Sequence, residues 1–301
     1  MTQKIIIHNP GSGRGDHDES VRRRADELGY TLKQTQTAGD AVTLAAEAAE
    51  AGFSTVVAAG GDGTVNEVVR GIDRANAFDD VEFGILPLGT GNNFAEQIGI
   101  PDLETAFAVL EDGDRRRIDL GYANERLFVN SCVAGLTAES SSETPSEMKR
   151  QLGVLAYVLT TLRTVSDFEL LRLTVDIEDA GQETTAWAGD ALCVLVGNGR
   201  RYGTSGTSQA NMEDGLLDVV VIEDVSALDL MSDTVVERMF GRDSASIKRF
   251  KSSSVEIEID NPDATRFSLD GEIIREQELS LTVRPQTLTV AVGETYDSNP
   301  D

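Results

Sequence analysis

The chain has 301 residues, of which 40% are apolar, so it is long enough for two domains and too apolar to be disordered. Asp and Glu number 52 against 26 Lys and Arg, which gives a formal net charge of −26. This balance excludes nucleic-acid binding through a basic face and argues against a polybasic membrane anchor. A strongly acidic chain with few lysines is typical of a halophile's salt-rich cytoplasm, where ions screen self-repulsion. The alternative is simply an acidic protein.

The apolar runs and the two cysteines predict a soluble, cytoplasmic protein. The run near the N-terminus, Ile5–Ile7, is only three residues long, which is too short for a secretory signal. Apolar runs elsewhere stay well below the roughly 18 residues that a membrane-spanning helix needs. Cys132 and Cys193 lie far apart in strand-like apolar segments, which favours buried, reduced thiols over a metal site.

The first 122 residues alternate short apolar runs with helical patterns. The predicted strands are Lys4–His8, Thr31–Thr35, Thr55–Ala58 and Phe83–Leu86. The predicted helices between them are Asp16–Leu28, Asp40–Ala51 and Thr64–Gly71. Strands that alternate with helices in this way require crossover connections. The pattern therefore predicts an α/β domain over 1–122, with a mostly parallel sheet and helices on both faces.

Residues 123–293 are rich in short strand patterns separated by turn signals. The predicted strands are Leu127–Cys132, Leu170–Ile177, Ala191–Gly197, Leu217–Ile222, Ser254–Ile259, Arg266–Leu269, Leu279–Val283 and Leu288–Val292. One helical pattern, Leu152–Leu162, lies among them, after a polar segment, Ser140–Lys149, that is predicted to be a loop. Such strands favour a mostly antiparallel β-sandwich or barrel. We therefore predict a second, β-rich domain over 123–293 and a frayed tail over 294–301.

Three glycine-rich segments follow predicted strands of the first domain: Asn9–Gly13 (NPGSG), Gly60–Glu67 (GGDGTVNE) and Pro87–Ala95 (PLGTGNNFA). Glycines at the carboxyl end of a strand let backbone N–H groups approach an anion closely. The first segment alone could be an ordinary turn, but three at one end of a parallel sheet converge where such sheets bind ligands. Asp62 lies among the glycines, where a carboxylate could meet a nucleotide-bound Mg²⁺, directly or through water.

These segments resemble those of the diacylglycerol kinase catalytic-domain family of lipid kinases, whose more distant relatives include NAD kinases. The resemblance runs from residue 4 to about residue 292. It continues in Arg117–Gly121 (RIDLG), Leu152–Leu159 (LGVLAYVL), Val196–Gly203 (VGNGRRYG), Glu213–Val219 (EDGLLDV) and Leu269–Glu272 (LDGE). The sequence departs from the family at Asn93, where most relatives carry Asp, and at Tyr202–Gly206, which replaces a run of three glycines.

The resemblance implies that the first domain binds ATP. The residues that it implies for nucleotide binding are Asn9, Pro10, Gly11, Ser12, Gly13, Thr35, Gly60, Gly61, Asp62, Gly63, Thr64, Val65, Asn66, Thr90 and Asn92. Thr35 matches a threonine that contacts the nucleotide in relatives, and the alternative is an exposed threonine at a strand end. In the second domain the family places a structural Mg²⁺, held by the carboxylate of Asp214 and the backbone carbonyls of Asn211 and Leu216. Without the family, this segment would be interpreted as an acidic hairpin.

The segment Asp270-Gly271-Glu272 places two carboxylates on a glycine turn. Brought to the nucleotide, such a pair can accept the proton of the substrate hydroxyl in phosphoryl transfer. We expect Glu272 to be the proton acceptor and Asp270 its partner in a network of Mg²⁺ and water, with Asp62 as the third catalytic acid. Neither His8, at a strand end, nor His17, in a polar helix, is expected to be catalytic.

The sequence therefore predicts an ATP- and Mg²⁺-dependent kinase that phosphorylates the hydroxyl of a diacylglycerol-like lipid alcohol at the membrane surface. Two alternatives remain open, a kinase of the same superfamily that acts on a soluble substrate such as NAD, and a nucleotide-binding regulatory protein without transfer activity. The retained DGE and DGLLD segments argue against the second. Relatives commonly form homodimers through the second domain, and a peripheral association with the membrane is compatible with a cytoplasmic location.

Overall fold

The protein is described here by a computed structural model, which covers residues 3–13, 17–135, 170–179, 182–199, 209–223, 246–261 and 263–300. The chain divides into two compact units. Unit 1 contains Met1–Leu120 and, from the far end of the chain, Pro285–Asn299. Unit 2 contains Gly121–Arg284. The return of the chain to unit 1 was not expected, because the sequence predicts one uninterrupted second domain over 123–293.

Unit 1 is a parallel sheet with helices packed against it. Its elements are β1 (Lys4–His8), α1 (Asp18–Leu28), β2 (Thr31–Gln34), α2 (Asp40–Glu50), β3 (Thr55–Gly60), α3 (Asp62–Arg74), β4 (Glu82–Pro87), α4 (Asn93–Gln97), α5 (Leu103–Asp112), most of β5 (Asp114–Ala123) and the C-terminal half of β15 (Glu278–Val292). The strands lie in the order β15–β4–β3–β1–β2, and each neighbouring pair is parallel. The carboxyl ends of β1, β3 and β4 therefore share one edge of the sheet.

Burial explains why the central strands β1, β3 and β4 are largely apolar. Residues Ile5–Ile7 of β1 and all six residues of β3 are buried. Unbroken apolar strands of this kind are typical of parallel sheets that helices cover. Helix α3 turns Val65, Val68 and Ile72 into the core, and this spacing of three and four residues is that of one helix face.

The helices of unit 1 depart from the sequence-based prediction in their bounds and in their number. Helix α3 begins at Asp62, two residues before the predicted Thr64, so that the GDGT segment forms its first turn. Helices α4 and α5 were not predicted. Helix α5 begins after Asp102, whose carboxylate accepts the Thr105 N–H at 2.8 Å and so forms a side-chain N-cap.

The RIDLG segment, Arg117–Gly121, bonds to the C-terminal half of β15 within unit 1. Arg117 Nε donates to the carbonyl of Gln286 at 2.7 Å, and its Nη2 donates to the carboxylate of Asp79 at 2.9 Å. Asp119 is completely buried, and its Oδ1 accepts the N–H of Gln286 at 2.7 Å. A buried carboxylate needs such donors, since otherwise its desolvation is not compensated. This motif therefore has a structural role in the described part of the chain.

Unit 2 is an antiparallel β-structure. Its strands are β6 (Arg126–Phe128), β7 (Ser131–Gly135), β8 (Leu171–Asp179), β9 (Gln182–Gly197), β10 (Leu217–Glu223), β11 (Ile247–Ser252), β12 (Ser254–Ile259), β13 (Thr265–Leu269), β14 (Glu272–Glu276) and the N-terminal half of β15. They pair in the order β14–β13–β7–β9–β8–β12–β15 through antiparallel ladders. Strand β10 pairs antiparallel with β9 and β11.

The core of unit 2 is one apolar cluster that includes Phe128, Val194 and Phe267. Cys132 and Cys193 are both buried and unpaired, as predicted. Burial raises the pKa of both thiols, that of Cys193 to about 12, so they remain protonated at neutral pH.

Several sequence-based strand predictions after residue 122 need correction, among them Ala191–Gly197, because β9 begins already at Gln182. The predicted strand Leu127–Cys132 is divided between β6 and β7, with Val129 and Asn130 outside both. The predicted strands Leu279–Val283 and Leu288–Val292 are one strand, β15. Strands β11 and β14 were not predicted. The predicted loop and helix within residues 140–162, and the departure at 202–206, lie outside the described residues.

Candidate active site

Three glycine-rich loops pack against one another at the carboxyl ends of β1, β3 and β4. Gly13 has φ +62°, and a Cβ there would lie 2.3 Å from the carbonyl oxygen of Leu88. A Cβ on Gly89 would lie 2.4 Å from the Cα of Gly61. Backbone meets backbone at both points, and only glycine permits this approach. The sequence expectation that the loops converge at one edge is therefore met by direct contact.

Asp62 joins the second loop to the third. Its Oδ2 accepts the backbone N–H of Asn93 at 3.1 Å and the Asn93 side-chain amide at 3.0 Å, while its Oδ1 accepts the Phe94 N–H at 3.0 Å. Because α4 begins at Asn93, these contacts satisfy N–H groups that have no acceptor within that helix. Asn93, which stands where most relatives carry Asp, thus donates its side-chain amide to Asp62. A second carboxylate at this position would repel Asp62.

The N-terminus of α3 is the part of this edge best suited to an anion. The N–H groups of a helix's first turn have no acceptor within the helix and carry partial positive charge. Gly63 lies in this turn, and a Cβ there would meet nothing within 4 Å. Thr64 and Asn66 are buried, and Asn9 Nδ2 donates to Thr64 Oγ1 at 3.3 Å. A hydrogen bond therefore joins the first loop to the second beside the N-terminus of α3, where the space next to Gly63 is open.

Other predicted nucleotide-binding residues shape the loops or lie at their margin. Asn9 Oδ1 accepts the N–H of Gly11 at 3.0 Å. Asn92 bonds to Gly89 twice, accepting its N–H at 2.9 Å and donating to its carbonyl at 3.1 Å. Thr90 is exposed, whereas Thr35 is half-buried just beyond β2. The structure thus gives Asn9 and Asn92 loop-building contacts.

His8 lies under the first loop at the end of β1 and is 2% exposed. Its Nδ1 is 3.3 Å from Asp18 Oδ1 and 3.4 Å from the Gln34 side-chain nitrogen. Burial lowers the pKa of His8, and the nearby Asp18 carboxylate opposes this only in part. The imidazole is therefore neutral at pH 7 and packs within unit 1.

In unit 2, Asp270 and Gly271 form the two-residue turn between β13 and β14. Their φ values are +48° and +98°, and Leu269 pairs with Glu272 across the hairpin. Positive φ at both central residues, in an Asp-Gly sequence, is typical of a type I′ turn. Glu272 is exposed as the first residue of β14.

The Asp270 carboxylate points to backbone donors. Its Oδ2 accepts the N–H of Val129 at 2.6 Å, and its Oδ1 accepts those of Asn130 and Ser131 at 2.9 and 2.8 Å. These are the residues at which the predicted strand is broken between β6 and β7. Their N–H groups bond to a carboxylate about 140 positions away. Asp270 therefore holds the β6–β7 connection against the β13–β14 turn.

The acidic turn before β10 contains the predicted magnesium ligands. Asp214 Oδ1 accepts the Leu216 N–H at 3.0 Å, and its Oδ2 accepts an ammonium hydrogen of Lys251 at 3.1 Å. Asn211 Oδ1 accepts the Glu213 N–H at 3.0 Å. No group of three or more His, Cys, Asp or Glu side chains in the described ranges could hold a metal ion. The single carboxylate of this donor set already binds an ammonium group, whose positive charge would repel a dication on the same carboxylate.

Comparison with known proteins now identifies the family. The diacylglycerol kinase catalytic domain model matches residues 3–123, and the YegS C-terminal NAD kinase beta sandwich-like domain model matches 130–292. A Pseudomonas putida protein named a probable YegS-like lipid kinase is 34% identical over 296 residues, covering 94% of this chain and 92% of its own. The chain belongs to the YegS-like lipid kinase family.

A second relative agrees with this assignment, and a solved structure shares the fold. The Escherichia coli K12 lipid kinase YegS is 31% identical over 269 residues, which is 88% of this chain and 87% of its own. A Bacillus anthracis crystal structure, provisionally named a diacylglycerol kinase, matches with TM-score 0.77 at 24% identity, over 98% of this chain and 96% of its own. The predicted α/β domain followed by a β-sandwich domain, and the predicted family, are thereby confirmed. Within the ranges that the structure describes, no helix has the length and apolarity to cross a membrane.

Sequence reasoning missed several partners of the acidic site residues. The N–H donors to Asp270 lie in Val129–Ser131, which the sequence presents as ordinary strand. The sequence marks Asn93 only as a departure from the family pattern, although its side-chain amide is the matching donor for Asp62. The partner of Asp214 is Lys251, and the sequence offers one indication of its importance, namely that the chain has only five lysines.

Proposed function

We propose that the protein is an ATP-dependent lipid kinase that phosphorylates the hydroxyl of a diacylglycerol-like lipid alcohol. The observation that carries the proposal is the packing of three glycine loops beside the N-terminus of α3. Backbone N–H groups at such a terminus suit the phosphates of a nucleotide. Membership of the YegS-like family supports a lipid as the acceptor.

In this proposal the phosphates lie against the first turn of α3. Gly63 has open space where a side chain would stand, so a phosphate can approach the backbone there. Thr64 and the loop around Asn9 border the same region. The Mg²⁺ that accompanies ATP would neutralise charge on the transferred phosphoryl group. Since Asp62 already accepts three N–H···O bonds, we propose that it positions the loops and meets the metal through water.

We propose distinct roles for the two acids of the β13–β14 turn. Glu272 is exposed and accepts the proton of the acceptor hydroxyl as its oxygen attacks the γ-phosphorus. The bond between the γ-phosphorus and the bridging oxygen breaks, ADP leaves, and the lipid carries a phosphate monoester. Asp270 binds three backbone N–H groups and so acts as a positioning residue for this turn. This assignment differs from the sequence expectation, which placed Asp270 in the network of Mg²⁺ and water.

A panel of acceptors tests the function. The protein is incubated with ATP and Mg²⁺ in molar KCl, with a diacylglycerol, an ether-linked dialkylglycerol, NAD or no acceptor, and products are identified by mass spectrometry. We expect a phosphorylated lipid from at least one glycerolipid and none from NAD. Phosphorylation of NAD alone would favour a soluble-substrate kinase. ATP binding without any transfer would favour a regulatory protein.

A further inference from the structure

We propose that the ammonium group of Lys251 takes the place of a divalent cation at the Asp214 turn, so that this turn is stabilised without metal. Asp214 Oδ2 accepts from Lys251 Nζ at 3.1 Å, and its Oδ1 accepts the Leu216 N–H at 3.0 Å. The two side chains are 20% and 30% exposed, so this is a partly shielded contact. The inference concerns folding and is independent of phosphoryl transfer.

The position of Lys251 is fixed by strand register. In the β10–β11 ladder Lys251 lies directly opposite Asp218, and Leu217 lies opposite Ser252. Residues in such opposed positions have side chains on the same face of the sheet. The ammonium is therefore directed to the carboxylates of the Glu213–Asp218 segment by the backbone pairing of two strands.

The choice of lysine supports this role. Only 5 of the 26 basic residues of the chain are lysine, namely Lys4, Lys33, Lys149, Lys248 and Lys251, so arginine is the usual basic residue here. An ammonium is a compact point charge, whereas a guanidinium is a planar fork suited to bidentate pairing. A compact cation on a flexible stem can occupy the position of an ion beside one carboxylate. Mg²⁺ itself demands near-octahedral oxygen ligation and gives up its waters reluctantly.

The test is the response of thermal stability to Mg²⁺ in the full chain, without nucleotide and at constant ionic strength in KCl. For the wild type we expect the same melting temperature with Mg²⁺ and with EDTA. Lys251→Met should melt lower in EDTA and recover in part with Mg²⁺, since a ligand at ten times its Kd raises the folding constant about tenfold. That recovery should be absent in the double variant Asp214→Asn, Lys251→Met.

Lys248→Met is the matched control, because it removes the same charge from the same strand. Lys248 Nζ lies 3.3 Å from Glu223 Oε1, away from the Asp214 turn. We expect Lys248→Met to respond to Mg²⁺ as the wild type does. A wild-type melting temperature that rises with Mg²⁺ and loses this rise in Asp214→Asn would overturn the proposal. So would a Lys251→Met variant that is indifferent to Mg²⁺.

A second measurement covers the case in which Lys251→Met does not fold. Mn²⁺ binding to the wild type and to Asp214→Asn is counted by electron paramagnetic resonance without nucleotide. The proposal predicts equal numbers of bound ions in the two proteins. The loss of one bound ion in Asp214→Asn would establish a metal at this turn and overturn the proposal.

Discussion

At the scale of single residues, the three acidic side chains of the proposed site differ in their exposure to solvent. The carboxylate of Asp270 accepts three backbone N–H groups, and that of Asp62 accepts two backbone N–H groups and one amide. Glu272 is exposed. Bonds to several backbone donors fix a carboxylate in place, whereas an exposed one can meet a substrate. This contrast underlies the different roles that we propose for these acids.

The two acids of the β13–β14 turn should therefore respond differently to substitution. Glu272→Gln should lower kcat by about 10²- to 10⁴-fold and change stability by less than about 0.5 kcal/mol, because Glu272 is an exposed surface residue proposed to accept a proton. Asp270→Asn should cost about 2–3 kcal/mol of stability, because an amide places a donor where an acceptor is needed. Steady-state kinetics and thermal melts of both variants check this. Full stability with no activity in Asp270→Asn would instead assign proton transfer to Asp270.

The buried His8 should make stability depend on pH. Its pKa in the folded protein is below the ordinary 6.5, so near pH 6 the unfolded chain binds more protons than the folded one. The stabilising contribution of neutral His8 is therefore complete above pH 6.5 and is lost as pH falls towards the folded pKa. We expect His8→Gln to remove this component of the pH dependence, measured by denaturant unfolding between pH 5 and 8. His17→Gln is the control, and an equal effect there would contradict the assignment.

At the scale of elements, the bounds of a strand can be predicted from the sequence where neighbouring residues determine them. The predicted strand Lys4–His8 and the predicted Ser254–Ile259 have the observed bounds, because an unbroken apolar run marks the first and apolar alternation marks the second. The break at Val129 could not be predicted, since its cause is a carboxylate about 140 residues away. Likewise Pro285 suggests a strand end, yet β15 continues through it. The glycine loops were predicted, but the donors that Asn93 gives to Asp62 were not.

Two glycine substitutions can distinguish the packing of the glycine loops from their proposed role in binding nucleotide. Gly89→Ala should lower the melting temperature, because its Cβ would lie 2.4 Å from the Cα of Gly61. Gly63→Ala should keep or raise stability, by up to about 1 kcal/mol, because alanine favours helix and its Cβ meets nothing within 4 Å. The same methyl group should nevertheless raise KM for ATP, since it occupies space proposed for a phosphate. An unchanged KM in Gly63→Ala would place the phosphates elsewhere.

At the scale of the whole molecule, the charge of −26 bears on how the protein meets a membrane. An anionic lipid surface repels each nearby negative charge by about 1 kcal/mol at low salt. At about 1 M salt the Debye length is roughly 3 Å, so this repulsion is largely screened. The peripheral encounter with lipid that the proposed substrate requires should therefore depend on salt.

Vesicle sedimentation tests this dependence. Binding to anionic vesicles should be negligible at low salt and rise with KCl, while binding to zwitterionic vesicles should change little. Circular dichroism at each salt concentration confirms that the chain is folded, because a strongly acidic protein can unfold when salt is removed. Strong binding of the folded protein to anionic vesicles at low salt would contradict the electrostatic argument.

The central claim, transfer of the γ-phosphoryl group of ATP to a lipid hydroxyl with Glu272 as proton acceptor, has one direct measurement. ATP labelled in its γ-phosphate is incubated with glycerolipid vesicles and either wild-type protein or Glu272→Gln in molar KCl, and the label in the extracted lipid is counted. We predict that label accumulates in the lipid with the wild type and falls by at least about 10²-fold with the variant. Equal labelling by the two proteins, or no label in the lipid with the folded wild type, would contradict the claim.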